Sequence, residues 1–254
     1  MIDLDGTLID KQDRISDDKL EFINNIRNHF EITIATGRSY LSALYFVKLL
    51  DIRAPFICFD GALVCDINGN VFYSNCMNFV ESFNILKLIE NYSNAYFTIF
   101  YKDFSLFSSN MLSLGISLKH WRIENKIYFG GLLSKNIYKI VVASYNYDVV
   151  RSVELFLRSY RNGGFYSYPS GKRKGLYVLD IVKNSVNKGK ALKFIRENFN
   201  YSFVVSIGDY INDLEMFEVS DLRIAPKISH KLIKQKANII IESFSDLNSL
   251  LKYA

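Results

Sequence analysis

Along most of the chain, short apolar runs alternate with amphipathic stretches. Ile32–Ala35, Phe56–Phe59, Phe203–Ile207 and Leu222–Ala225 are apolar and are stopped by Gly, Asp or Pro within two residues, the signature of buried strands. Ser16–His29 carries Leu20, Ile23 and Ile26 at helical spacing, which predicts a helix with Ser16 as N-cap and Lys19 where a capping box would place Glu. Tyr40–Leu50 and Lys188–Asn198 are amphipathic in the same way. Strands alternating with helices predict an α/β fold with a parallel sheet covered on both faces.

The middle of the chain breaks this rhythm. Val80–Tyr92 and Asp148–Arg161 have helical patterns, whereas Tyr96–Tyr101, Ile137–Ser144 and Leu176–Val182 have strand patterns. This helix and strand set predicts an α+β insertion, residues 79–183, between two parts of one core, residues 1–78 and 184–254. Charge follows the same division. The insertion holds 14 Lys/Arg against 7 Asp/Glu, and the remainder 17 against 19, so the formal net charge of +5 comes wholly from the insertion.

Composition removes several classes. Cys58, Cys65 and Cys76 form no C-x-x-C pair, which argues against a disulfide framework or structural zinc. No apolar stretch approaches the roughly 18 residues of a membrane span. The chain opens on Asp3 and Asp5 rather than on a basic and then apolar segment, so a cytoplasmic protein with no membrane partner is expected. The basic insertion carries no nucleic-acid motif, and its aromatic residues, Tyr101, Phe104 and Phe107 among them, suit a domain interior; no nucleic-acid partner is expected. His29, His120 and His230 share no ligand spacing.

Candidate chemistry begins at Asp3-Leu4-Asp5-Gly6-Thr7-Leu8. Two carboxylates at i and i+2 of an extended segment project to one side, and a divalent cation would relieve their repulsion. Thr36-Gly37-Arg38 follows the second predicted strand. Lys188-Gly189-Lys190 opens the helix after the insertion, and Gly208-Asp209-Tyr210-Ile211-Asn212-Asp213 follows another apolar strand. Open parallel sheets bind ligands at the carboxyl ends of their strands, where these four segments would meet. Acids, a cation, a hydroxyl and an amide around one volume form a set suited to phosphoryl transfer.

In order and spacing these segments resemble motifs I to IV of the haloacid dehalogenase (HAD) superfamily. The insertion after Phe59-Asp60-Gly61-Ala62 is similar to that of the Cof-type phosphatases with a type-IIB cap. The resemblance implies a Mg²⁺-dependent phosphatase with a Rossmann-like core, an inserted α+β cap that sets specificity, and an aspartyl-phosphate intermediate on a small soluble phosphomonoester such as a sugar phosphate. Under it Asp3 is the nucleophile and a Mg²⁺ ligand. Asp5 is the general acid/base and lends Mg²⁺ its carbonyl, and Asp209 is a further metal ligand. Leu4 (through its N–H), Thr36, Gly37, Lys188 and Asn212 hold phosphate, with Asp213 behind them.

Three positions depart from the family pattern. Only Met1 and Ile2 precede Asp3 where the family has a longer apolar strand, and residues upstream of Met1 are expected to supply the rest. Asp60 replaces an Asn and adds negative charge near the mouth. Ala225-Pro226-Lys227-Ile228 replaces a Gly-Asn-Ala stretch. Lys172, Arg173 and Lys174, between Gly171 and Gly175, are read first as a plain solvated turn, with a cap loop that meets an anionic substrate as the functional alternative. Arg38 is expected to be the structural partner of a carboxylate. Two alternative functions remain open: a phosphotransferase of the same mechanism and a noncatalytic binding module.

Overall fold

A computed structural model describes residues 1–110, 124–128, 136–159, 165–173 and 175–247. His120, Trp121 and Lys174 lie outside these residues. The chain divides into two compact units. One comprises Met1–Arg38, Ala43–Ser74 and Asn187–Ala254; the other comprises Ser39–Ser42 and Asn75–Val186.

In chain order the first unit begins with β1 (Ile2–Asp3), α1 (Asp17–Ile26), β2 (Ile34–Ala35), α2 (Tyr40–Leu49, from Ala43 on), β3 (Phe56–Cys58), β4 (Leu63–Cys65) and β5 (Val71–Ser74). The second unit contains α3 (Phe79–Glu90), β6 (Tyr96–Phe100), β7 (Phe104–Ser108), β8 (Glu124–Tyr128), β9 (Lys139–Ser144), α4 (Tyr147–Ser159), β10 (Phe165–Arg173) and β11 (Leu176–Lys183). The chain then returns with α5 (Lys188–Asn198), β12 (Val205–Ile207), α6 (Leu214–Val219), β13 (Leu222–Pro226), α7 (Lys231–Lys236) and β14 (Ile239–Ile241).

The first unit is built on an eight-stranded sheet of order β14-β13-β12-β1-β2-β3-β4-β5. β14 through β3 are parallel to one another, whereas β4 and β5 are antiparallel. The sheet is therefore parallel only in part: a hairpin extends one edge. The parallel strands are short because each is buried and is released at its carboxyl end into a loop that carries polar chemistry. Ile34, Ala35, Ile57, Ile207, Ile224 and Ala225 are essentially inaccessible. On one face Ala191, Leu192 and Ile195 of α5 pack with Met216, Phe217 and Ile233.

Local chemistry sets the helix ends. Ser16 has the extended backbone of an N-cap, but its hydroxyl donates to the Asp18 carboxylate and caps no N–H. In α3, Asn78 supplies a complete capping box with Glu81, each side chain accepting from the other's backbone. Asn187 caps α5 by accepting from Lys190 N–H at 2.8 Å, which makes Lys188 the first helical residue.

The second unit is a six-stranded sheet of order β10-β11-β9-β6-β7-β8 with helices α3 and α4. Ile85, Ile89, Phe97, Ile99, Tyr101, Ile140, Val142, Val153 and Leu179 belong to its core. Tyr101 stacks on Phe104 at 4.4 Å between ring centroids, so these two aromatics are interior packing. The glycine-flanked segment around Lys172 is not a free loop. Lys172 and Arg173 pair in register with Tyr177 and Leu176, and Gly175, at φ +86°, makes the tight turn.

The connection from β3 to β4 is a tight point of the first unit. Phe59 and Asp60 both take left-handed backbone, at φ 50° and 58°, and Gly61 follows at φ 108°. A Cβ on Gly61 would stand 2.2 Å from the carbonyl oxygen of Asn187, the N-cap of α5. Gly61→Ala therefore forces either the turn or the α5 N-terminus to move. It should lower stability by about 3 kcal/mol or more. Thermal unfolding should show a drop in Tm of roughly 10 °C; a change of a degree or two would contradict this packing.

Candidate active site

The carboxyl ends of β1, β2, β3 and β12 place the candidate chemistry together. Asp3 ends β1, Thr36 follows β2, Asp60 follows β3, and Asp209 follows β12 after Gly208. Lys188 enters from the first turn of α5.

Lys188 is the centre of the charge arrangement. Its ammonium donates to Asp3 Oδ1 and, at 2.6 Å, to Asp213 Oδ1, with its side chain only 1% exposed. Burial alone would push this lysine down, but Asp213 and then Asp3 outweigh it and hold the lysine well above its ordinary value. Asp3 also titrates well above the usual carboxylate range, mainly through burial and then through the negative charge of Asp213. Lys188 opposes that shift without cancelling it. Asp209 is pushed up by burial, against the hydrogen bond it accepts from Thr7 Oγ1 at 2.8 Å.

Asp3, Asp209 and Asp213 present carboxylate oxygens within 4.8 Å of one another. Their bonding separates their roles. Both Asp213 oxygens are occupied, Oδ1 by Lys188 and Oδ2 by the N–H groups of Asp209 and Tyr210 at 3.0 and 3.2 Å. Asp3 Oδ2 is buried and accepts no hydrogen bond among the described residues. A buried acceptor without a donor is costly, and a cation next to Asp209 would satisfy it. Hard carboxylate oxygens in this number suit a small divalent ion such as Mg²⁺, so Asp3 and Asp209 fit the metal and Asp213 serves as the anchor of Lys188.

Asp5 lies to one side, half exposed. Arg38 grips its carboxylate through Nε at 3.0 Å and Nη2 at 2.6 Å, and Thr36 Oγ1 donates to it at 3.3 Å. The Arg38 Nη2 also pairs with Asp13, and the guanidinium sits 5.1 Å from the Phe46 ring centroid. Arg38 is thus the partner of two carboxylates. Thr36 Oγ1 also accepts from the Arg38 N–H at 3.1 Å. Asn212 Nδ2 donates to Asp60 Oδ1 at 3.4 Å. Asp60 is not at an open mouth: only 5% of it is accessible. Among the residues that sequence patterns did not assign to the site, Asp13 is the clearest, and nothing in its local sequence marks it.

A buried carboxylate beside a buried lysine, on the carboxyl edge of a mostly parallel sheet, suits a hydrolase of the α/β class that acts on phosphate esters. Residues 1–253 match the haloacid dehalogenase-like hydrolase family, and the chain belongs to that family as a phosphatase. A putative phosphatase of Buchnera aphidicola is 26% identical, over 99% of this chain and 94% of its own length. A 5-amino-6-(5-phospho-D-ribitylamino)uracil phosphatase of Bacillus subtilis, YitU, is 24% identical over 93% of this chain and 89% of its own. The HAD subclass IIB sugar phosphatase BT4131 shares the fold, with a TM-score of 0.75 and 17% identity over 99% of this chain and 96% of that one. Among the described residues no helix is long and apolar enough to cross a membrane.

Proposed function

We propose that the protein hydrolyses small soluble phosphomonoesters, sugar phosphates or related phosphorylated metabolites, with Mg²⁺ and through an aspartyl-phosphate on Asp3. The observation that carries this reading is the buried Asp3 carboxylate, with one oxygen on Lys188 and the other without a donor. Two of the similar enzymes are named for phosphate esters, a ribitylamino-uracil phosphate and sugar phosphates.

In the first half-reaction an Asp3 oxygen bonds to phosphorus as the ester P–O bond breaks. Asp5, turned out of the Arg38 grip and protonated, gives its proton to the leaving alkoxide. In the second, Asp5 takes a proton from water as that water attacks the phosphorus, which releases phosphate and restores the Asp3 carboxylate. Lys188 neutralises charge on the transferring group, and Thr36, Gly37, Asn212 and the Leu4 N–H orient it. Bound through Asp3, Asp209 and the Asp5 carbonyl, Mg²⁺ would supply further charge neutralisation. Thr36 can turn from Asp5 to a phosphate oxygen with little cost, because its bond to Asp5 is long at 3.3 Å. The insertion, residues 79–183, would set specificity, with Lys172, Arg173 and Lys174 as its basic candidates.

A panel of phosphorylated metabolites assayed with Mg²⁺ and with chelator tests the proposal. Turnover of at least one ester that chelation abolishes is expected. Phosphate released equally with and without metal would refute Mg²⁺ dependence, and transfer to added alcohols without free phosphate would make the enzyme a phosphotransferase. A folded protein that turns over nothing would be a binding module.

A further inference from the structure

The rim around the carboxyl edge of the first unit's sheet is chemically lopsided. After β1 the chain runs through Asp10, Lys11, Gln12, Asp13 and Arg14, of which Lys11, Gln12 and Arg14 are exposed and Asp13 is paired with Arg38. After β12 and β13 three large apolar side chains stand in water instead: Tyr210 with 56%, Ile211 with 39% and Ile228 with 85% of its surface exposed. These two loops are tied together. His230 N–H donates to the Asp209 carbonyl at 2.8 Å, and the His230 ring meets the Tyr210 ring in a T-shaped contact at 5.8 Å between centroids. Single apolar residues on a surface are ordinary, but a group of them on two bonded loops beside polar chemistry calls for an occupant.

In-line displacement by Asp3 fixes where the organic part of a substrate lies. Asp3 ends a buried strand and attacks from the sheet side, so the leaving oxygen points away from the sheet, toward the rim. Tyr210 stands between Asp209, which fits the metal, and Asn212, assigned to phosphate, and its own N–H donates to Asp213 at 3.2 Å. The site therefore fixes the Tyr210 backbone, and His230 supports its ring while more than half of the residue stays in water. An aromatic ring held in this way gains by covering a second flat or apolar group. The other side of the rim offers the opposite environment, with Arg38 engaged by Asp5 and Asp13.

We infer that Tyr210, with Ile211 and Ile228 on the same two loops, is a wall for the alcohol part of the substrate, and that it selects phosphomonoesters whose alcohol carries a flat ring over those of short polyols. This rests on the proposed phosphatase reading and narrows its substrate class. The ring lies against the wall in the ground state and in the transition state alike, so the wall acts on KM and not on kcat. It holds the ring and not the phosphate, so inorganic phosphate binds with or without it.

The test uses the full chain with Mg²⁺. Its readouts are KM and kcat for 1-naphthyl phosphate and the inhibition constant of inorganic phosphate. Tyr210→Ala should raise KM roughly tenfold, with kcat and the inhibition constant each within about twofold of wild type. Tyr210→Phe keeps the ring and should match wild type. Ile228→Ser, at a side chain almost wholly in water, should raise KM about threefold. An unchanged KM in Tyr210→Ala overturns the inference. KM and the inhibition constant rising together would mean that Tyr210 acts through the Asp209–Asp213 turn, which overturns it as well. If Tyr210→Ala does not fold, Ile228→Ser decides, and an unchanged KM there has the same force. A wild type that turns over glycerol phosphate more efficiently than 1-naphthyl phosphate sinks this inference alone. A wild type that hydrolyses no phosphomonoester sinks the phosphatase reading with it.

Discussion

Asp3→Asn should reduce turnover on the order of 10⁵-fold and raise the melting temperature measured without Mg²⁺. The loss follows from removing the carboxylate that, alone among the described residues, combines burial, the Lys188 contact and an oxygen without a donor. The gain in stability follows from linkage. The Asp3 carboxyl titrates above its unfolded value. Its contribution to stability is therefore full below the unfolded value and is lost as pH rises through the folded one. Ionising Asp3 as pH rises destabilises the metal-free fold, and Asn is its permanently neutral isostere. Lys188 retains Asp213 at 2.6 Å in the variant, so no buried cation is stranded. Differential scanning calorimetry should show Tm up by a few degrees, at about 2–4 °C per kcal/mol. Added Mg²⁺ should raise the Tm of wild type more than that of the variant, because binding to the folded state alone is stabilising. Activity above about 1% of wild type in a preparation free of host phosphatases would remove Asp3 from the nucleophile's role. A lower Tm in the variant would refute the electrostatic account.

The parts of this site that were legible in the sequence are those in which local pattern and chemistry coincide. An apolar run that stops at Thr or Gly marks a buried parallel strand and its carboxyl end, as before Thr36 and Asp209, whereas Asp3, with Met1 and Ile2 before it, is marked by the D-x-D-G-T spacing. Lys188 is marked by its place before Gly189 at the predicted helix start, and α5 begins there. Strands of two residues, such as β1 and β2, cannot show a period, and only their apolar character marks them. β10 was hidden for a different reason. Pro169, Gly171 and Gly175 read as loop, yet β10 is an edge strand, where a proline needs no ladder partner, and a bulge between Pro169 and Gly171 absorbs the irregularity. The hairpin of β4 and β5 was missed because Val71, Phe72 and Ser74 are all exposed and give no alternation. The Arg38 grip on Asp13 spans 25 residues and depends on loop geometry. The placing of Asp60 beside Asn212 depends on left-handed backbone, which the Asp-Gly pair permits and does not specify.

Lys188→Met tests the other half of the buried pair and should be the most destabilising single change in the site. Methionine matches the length of the lysine stem, so packing is preserved and the effect reports on charge. Asp3 and Asp213 then face each other in a buried site, where Asp213 keeps the N–H donors of Asp209 and Tyr210. Breaking a buried ion pair from one side costs about 3–5 kcal/mol, which predicts a Tm lowered by roughly 10 °C. The pH dependence gives the sign. Without the lysine, the Asp3 carboxyl, already above its ordinary value of 3.8, moves higher still. A raised carboxyl stabilises fully below its unfolded value and loses that contribution as pH rises through its folded value. The deficit of the variant should therefore be largest at neutral pH and shrink steadily as pH falls toward the unfolded carboxyl range. Turnover should fall at least on the order of 10³-fold, since a fixed cation at the transferring phosphoryl group is lost together with the alignment of Asp3. Denaturant melts of both proteins at a series of pH values decide the matter. A deficit that stays constant with pH would mean the lysine acts by packing, and parallel wild-type and variant curves would remove the buried charge arrangement from the account of this site.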